Sequence, residues 1–385
     1  MNQTKPVKVL QVVGAMNRAG TETMLMNVYR GIDKNKIQFD FVSYSKEESH
    51  YDDEIKSYGG KIIKLSNTWS IKEMVGKINM HGPYDAVHSH TLFNCGIANT
   101  AAQIAGVKIR IAHAHTTNDS SDSLIRKIYL KCMRKMILHS STHLLACSKG
   151  AGHYLFGEKG VQNENYSYFP NAIDYSPFLQ QDNNSEARKF KMQCGFGNNL
   201  VIGHIGRFIK AKNHLFLLRI MQCLLEKDPS VKLLLVGEGE EKKRIINEVK
   251  KVGLEKNVVF AGIRTDIPVM LQCMDAFVFP SIYEGLGLVL LEAQASGMPC
   301  IVSEAIQPEA DLELGLISKQ SLDEHPRIWA NRIMEVVGKK EKDFLKITRA
   351  FEEKNYAVSV SIAKLMSLYS ATSGGTDENY TDRLI

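Results

Sequence analysis

The sequence predicts an α/β protein built as two doubly wound, Rossmann-like parallel sheets. Three observations predict it. Short apolar runs alternate with amphipathic helical stretches along the chain, the rhythm of βα units. That rhythm pauses at a polar stretch, Gln180 to Asn199, and then restarts. With 385 residues, the chain is long enough for two domains of ordinary size, each with its own core.

Taken in order, strands are expected in the first half near Val7 to Val13, Phe39 to Ser43, Lys61 to Leu65, Ala86 to Ser89, Arg110 to Ala114, Leu144 to Ser148 and Tyr166 to Phe169. Those of the second half are expected near Val201 to Ile205, Lys232 to Val236, Val258 to Ala261, Ala276 to Phe279, Cys300 to Ser303 and Leu316 to Ser318. Gln180 to Asn199, with Asp182-Asn183-Asn184, Gly195 and Gly197, reads as a boundary region more than as the core of an element. No solenoid-length repeat or low-complexity tract appears. The polar tail after Ala371 lacks the apolar residues an element needs.

With 44% apolar and 23% charged residues, the composition is that of a soluble globular protein. No apolar stretch approaches the roughly 20 residues needed to span a bilayer, and the first residues lack a signal peptide's apolar core, so a cytoplasmic location is expected. The seven cysteines are scattered and never spaced as C-x-x-C, which suggests neither a disulfide framework nor a zinc site. The net charge of +6 arises wholly in residues 1 to 175, which carry 21 Lys and Arg against 15 Asp and Glu. Much of it falls in the helix expected over 124–139, where Lys127, Lys131, Arg134 and Lys135 recur with Ile128, Tyr129 and Met133 interleaved. Such a helix suits an anionic membrane surface or a lipid-linked acceptor, or is a solvated basic face. Without a recognition motif beside it, nucleic acid is not expected.

The run from Phe277 to Val302 carries the most chemistry. A buried strand ends at Pro280, a turn holds Gly285 and Gly287, and a helix runs from Leu288 to Ser296. Glycines at that junction let the backbone approach a ligand and aim N–H groups at an anion such as a diphosphate. Glu284 stands at the mouth of the turn, and Glu292 follows at most roughly 12 Å of helix rise later. One carboxylate can then reach the reacting end of a nucleotide-linked substrate and the other its ribose. Both can equally be solvated helix-end acids.

PSIYEGLGL with a second Glu eight positions on, followed by ASGMPCIV, resembles the donor-site signature of retaining nucleotide-sugar glycosyltransferases with the GT-B fold, in glycosyltransferase family 4. Further matches are GRFIKAKNH from Gly206, LLLVGEGEEKKRI from Leu233, VVFAGIRTDIPVMLQCMDAFVFPS from Val258 and PNAIDYSPF from Pro170, so the resemblance covers nearly the whole chain. AHAHTT with a basic helix after it, and IQPEADL, resemble enzymes of bacterial capsule and exopolysaccharide assembly. The resemblance implies an acceptor-side domain over 1–174, a nucleotide-sugar domain over 175–356, a last helix over 357–372 returning to the first domain, a loose tail over 373–385, and an active site in the cleft between facing domains.

It also implies roles. Arg207 and Lys212 would neutralise the leaving diphosphate, Arg as a bidentate fork and Lys as a point charge, which removes the need for a metal. Gly285, Leu286, Gly287 and Leu288 would cradle the diphosphate, Glu292 would hold the ribose and Glu284 the sugar hydroxyls. Gly262, Ile263 and Arg264 match the base-binding loop. Gly237 and Gly239 follow another strand, and are either near the donor or simply turn residues. Gly20 stands where the family has two adjacent glycines; here the pair is Ala19-Gly20, which weakens a phosphate role. His115 resembles the histidine beside the transferred sugar. His88, His90 and His113 also cluster at strand ends, where sites of open α/β sheets form; His113 is expected to alternate to the opposite strand face and to be structural, unless the strand has already ended there.

The resulting expectation is a retaining, metal-independent hexosyltransferase without cofactor. It would use a nucleotide diphosphate sugar, UDP-linked by preference, and a glycan or polyprenyl-linked acceptor, at the inner face of the cell membrane. A sugar-nucleotide epimerase of the same fold, revealed by acceptor-independent conversion of donor, and a non-catalytic sugar-nucleotide-binding partner of another transferase are the alternatives.

Overall fold

The computed structural model describes residues 5–117, 124–179 and 184–370, and for 124–127 and 184 the backbone alone. The tail expected to be loose lies outside the described residues. Among the described residues the chain forms two compact units. One runs to His115, resumes through Phe169 and takes the chain back from Val358; the other holds Pro170–Ala357 together with Thr116 and Thr117.

The first unit is a seven-stranded parallel sheet: β1 Val7–Val13, β2 Ile37–Ser43, β3 Ile62–Lys64, β4 Ala86–Ser89, β5 Ile109–Ala114, β6 His143–Ala146 and β7 Tyr166–Tyr168, in spatial order β3-β2-β1-β4-β5-β6-β7. Strands such as β1 and β2 are almost continuously buried, as in sheets that helices cover on both faces. β6 ends two residues before the expected Ser148, because that serine caps the next helix by accepting a hydrogen bond from the Ala151 amide at 3.1 Å. The helix Val358–Ser370 belongs to this unit. It crosses the helix Gly20–Gly31 so closely that a side chain at Gly31 would stand 2.7 Å from Ile362.

The second unit is a six-stranded parallel sheet: β8 Val201–Ile205, β9 Lys232–Val236, β10 Val258–Gly262, β11 Ala276–Phe279, β12 Cys300–Ser303 and β13 Ile317–Gln320, in order β10-β9-β8-β11-β12-β13. Its core packs Leu233, Leu235, Leu217, Ile301 and the fully buried Trp329. Removing one such leucine side chain costs about 2–5 kcal/mol. The boundary stretch contains a helix, Asn184–Gln193, that the Asn, Asp and Gly punctuation hid. Its sequence is rich in helix formers, and it buries Ala187, whose carbonyl accepts from the Cys273 thiol.

In each sheet the strand order reverses beside the first strand, between β1 and β4 and between β8 and β11. Open α/β sheets bind ligands outside the carboxyl ends of the strands at such a point.

Candidate active site

In the second unit, the switch point carries Lys212 on one side and Glu284 on the other. After β8 the chain makes a single 3-10 turn, Lys210–Lys212, and passes through Asn213 at φ 55° into the helix His214–Leu225. After β11 it turns through Ser281 to Gly287 and enters the helix Leu288–Ala295. Lys212 Nζ meets Glu284 Oε1 at 2.5 Å, with only 15% and 12% of the two side chains exposed, and also stands 4.5 Å over the Phe279 ring. Beneath Lys212 lie two buried histidines. Burial, with a smaller contribution from Lys212, puts His204 at about 3, and burial with smaller contributions from His204 and Lys212 puts His214 at about 2. Both therefore stay neutral, and Glu284 remains the charge that Lys212 meets.

Gly287 is the N-cap of the following helix, with φ 83°, a left-handed conformation that suits a residue without Cβ. No side chain caps that end, so the first amides of the helix lack intrahelical partners. Gly285, Leu286 and Leu288 are buried around this turn. Along the helix, Val289, Glu292 and Ser296 form the one incompletely buried stripe. Part of the Glu292 side chain remains accessible, yet burial of its carboxyl pushes it up to about 7. No ion pair or side-chain hydrogen bond holds that carboxyl among the described residues.

Backbone contacts join the neighbouring strand ends. Gly206 N donates to Val236 O at 2.9 Å, Phe208 N to Glu238 O at 2.8 Å and Gly237 N to Gly262 O at 2.8 Å. A Cβ at Gly237 would lie 2.1 Å from the Gly206 carbonyl oxygen, so Gly237 exists to let two loops touch. Arg207 projects into solvent. Gly262 and the 44%-exposed Ile263 present the β10 loop, whereas the Arg264 guanidinium is engaged by Asp266 through bonds of 2.8 and 2.5 Å. Of the three residues expected at the base, only Arg264 thus has its side chain committed within the protein.

In the first unit, four histidines gather at the other switch point. His88 Nε2 lies 3.2 Å from His113 Nδ1, and His115 Nε2 lies 2.8 Å from His90 Nδ1. The His113 and His115 rings lie with centroids 4.0 Å apart, tilted by 37°. His113 therefore does not alternate away from His115, because residues two apart return to the same side of a strand. Sequence reasoning missed Gln11, in β1, and Tyr369, in the last helix, which complete the cluster. The signal for Gln11 was a lone amide inside the otherwise apolar buried run that follows Lys8. Nitrogens of His88, His90 and His113 lie within 4.8 Å of one another, a spacing a metal ion could use, but each of these side chains is already hydrogen-bonded within the cluster. Gly20 is the exposed first residue of its helix, and the preceding Ala19 provides no side-chain cap.

Residues 18–176 match Glycosyltransferase Family 4, and residues 188–313 match Glycosyl transferases group 1. The chain is 37% identical to the putative glycosyltransferase EpsF of Bacillus subtilis over 94% of its own length and 96% of that protein. It is 28% identical to the capsular polysaccharide biosynthesis glycosyltransferase CapH of Staphylococcus aureus, covering 87% of this chain and 92% of the other. Among solved structures, HepE of Anabaena in complex with UDP and glucose superposes with a TM-score of 0.76 at 19% identity, covering 95% of this chain and 100% of that one. With two parallel Rossmann-like sheets and these relatives, the chain belongs to the GT-B glycosyltransferases of family 4 and resembles those of bacterial capsule and exopolysaccharide assembly.

Proposed function

We propose that this glycosyltransferase moves a hexosyl unit from a UDP-sugar to a hydroxyl of a glycan or polyprenyl-linked glycan, with retention and without a metal. The observation that carries the reading is the Lys212–Glu284 pair, seated beside an uncapped helix start at the switch point of the second sheet. The bond from the anomeric carbon to the phosphate oxygen breaks, the acceptor oxygen bonds to that carbon on the same face, and the acceptor proton passes to the departing phosphate. Lys212, Arg207 and the amides of Gly285 to Leu288 stabilise the charge that develops on the diphosphate. Glu284 receives the sugar hydroxyls. Glu292, whose carboxyl has no ion pair or side-chain hydrogen bond among the described residues, accepts from the ribose hydroxyls, and the backbone of Gly262 and Ile263 meets the base. The presence of UDP and glucose in the HepE structure favours a uridine donor. In the first unit, His115 is assigned to the sugar or the acceptor, and Gly20 to the loop beside it.

No helix among the described residues is long and apolar enough to cross a membrane. The acceptor side is instead assigned to peripheral contact through the helix Leu124–Ser140 at the inner face of the cell membrane, where nucleotide sugars are available. Exposed Ile128, Lys131 and Lys135 on this helix, and Trp69 packed against Tyr129 at 5.7 Å, favour it. Mass spectrometry of a panel of sugar nucleotides with a polyprenyl-linked acceptor tests the reaction, alongside calorimetry of UDP binding. Absence of transfer from every donor, together with undiminished UDP binding by Glu292→Ala, would refute it.

A further inference from the structure

Six polar side chains of the first unit form one hydrogen-bonded chain. His115 Nε2 bonds His90 Nδ1 at 2.8 Å, and His90 Nε2 bonds Gln11 Oε1 at 3.0 Å. Gln11 Nε2 donates to the Tyr369 hydroxyl at 3.3 Å, the hydroxyl bonds His88 Nδ1 at 2.7 Å, and His88 Nε2 bonds His113 Nδ1 at 3.2 Å. Within each histidine pair the ring centroids lie 5.3 and 5.1 Å apart, with interplanar angles of 10° and 31°. The two pairs then lie against each other with tilted rings, His88 on His90 at 4.2 Å and 34° and His113 on His115 at 4.0 Å and 37°. Gln11, His88, His113 and Tyr369 are buried.

Such a chain has a direction. A neutral imidazole donates from one nitrogen and accepts at the other, so each link dictates the next. Gln11 sets the sense, because its carbonyl oxygen can only accept and its amide nitrogen can only donate. With Oε1 toward His90, His90 must carry its proton on Nε2, accept at Nδ1, and thereby require His115 to donate from Nε2. In the other direction, the Gln11 amide occupies a lone pair of the Tyr369 oxygen, the tyrosine donates to His88 Nδ1, and His88 and His113 also carry their protons on Nε2. Turning the Gln11 amide around would reverse all five links and move all four protons to Nδ1. Burial, with neighbouring histidines adding to it, holds His88, His90 and His113 well below the usual histidine range, so one proton per ring is the state at neutral pH.

We propose that Gln11 and Tyr369 are positioning residues that hold His115, whose Nδ1 is buried, as its Nε2-protonated tautomer. That this tautomer serves sugar transfer rests on the assignment of His115 to the sugar or acceptor; the tautomer itself does not. Tyr369 stands 358 positions from Gln11 in the sequence, so the last helix contributes the one hydroxyl that links the two histidine pairs.

Long-range proton–nitrogen NMR of the full chain labelled with 15N-histidine reads the tautomers directly. The wild-type protein should show His88, His90, His113 and His115 all protonated on Nε2. A mixture among the four, or a charged member at pH 7, overturns the proposal. In Tyr369→Phe, shown to be folded by circular dichroism, His115 should become a mixture of both tautomers, and sugar transfer should fall about fivefold, the scale of one lost hydrogen bond. An unchanged His115 in that folded variant overturns the coupling. Gln11→Glu provides a second reading if Tyr369→Phe does not fold. Its carboxylate accepts from both neighbours, so His90 and His115 should keep Nε2–H while His88 and His113 switch to Nδ1–H; retention of the original form by His88 and His113 overturns the chain. Tautomers that respond while transfer and donor affinity stay at wild-type levels would support the network and overturn the contact between His115 and the sugar.

Discussion

Lys212 and Glu284, 72 positions apart in sequence, meet at 2.5 Å across the switch point of the second sheet. The chain brings a largely buried cation and the carboxylate of the donor motif to one place. In the proposed reaction, a diphosphate arriving there would compete with Glu284 for the ammonium and free the carboxylate for sugar hydroxyls.

The first prediction concerns this pair. Lys212→Met leaves a largely buried carboxylate without its cation, and Glu284→Gln leaves the reverse. Each single variant should lose about 1–3 kcal/mol of stability in chemical denaturation, with the double variant losing less than the two combined. Transfer by Lys212→Met should drop by about 10²–10³-fold, the scale of one lost electrostatic contact to the transition state. Wild-type turnover by Lys212→Met would remove it from the reaction.

Glu292 gives a pH signature. Its carboxyl binds a proton more tightly in the folded chain than in the unfolded one, since burial raises it from 4.5 to about 7. Stability from this group is fully present below about pH 4.5 and is lost as pH rises through 7, a fall of at most about 3 kcal/mol. Glu292→Gln should flatten this slope in urea titrations from pH 5 to 8. UDP binding should strengthen as pH rises through the same range in the wild type, because only the carboxylate accepts from both ribose hydroxyls, and should lose that dependence in Glu292→Gln.

At Gly287, alanine must adopt φ 83° and place its Cβ 3.3 Å from the Phe279 ring. We expect a loss of about 1–2 kcal/mol and weaker UDP binding. At Gly237 the added Cβ would strike the Gly206 carbonyl at 2.1 Å, and the loops could not stay joined. Gly237→Ala should cost about 3 kcal/mol or more, read as a lower melting temperature.

Arg207 is exposed, so Arg207→Ala should leave the melting temperature unchanged while reducing transfer by about 10–10²-fold. A silent variant would make this residue an ordinary surface charge.

For the basic helix, Lys131→Glu with Lys135→Glu should weaken sedimentation with vesicles containing anionic phosphatidylglycerol by about 2 kcal/mol or more, at about 1 kcal/mol per cation removed. Binding should also fall with salt, and vesicles of neutral phosphatidylcholine alone should show little difference between the proteins.

The strands were legible because each is a short apolar run closed by turn residues, and β1, β4, β8, β9, β11 and β12 begin and end at the residues the sequence suggested. Asn184–Gln193 was not legible, since its flanking Asn, Asp and Gly residues outweighed its own propensity; what stabilises it is the packing of Ala187 against Cys273. The donor motif was visible in the same local way, because strand, glycine turn, helix and both glutamates fall within one short segment. Its ion pair was not, because no spacing rule links Lys212 to Glu284.

By itself, the sequence determined the alternation of strands and helices, the glycines of the donor turn and the family to which the chain belongs. These are local properties of periodicity, propensity and motif. Only the tertiary structure decided that Lys212 faces Glu284, that the Glu292 carboxyl is embedded and protonates near neutral pH, and that Gln11 and Tyr369 complete a chain of four histidines. Charge pairing, desolvation and proton direction depend on which groups lie within a few ångströms, and parallel sheets bring together residues that the chain separates by tens to hundreds of positions.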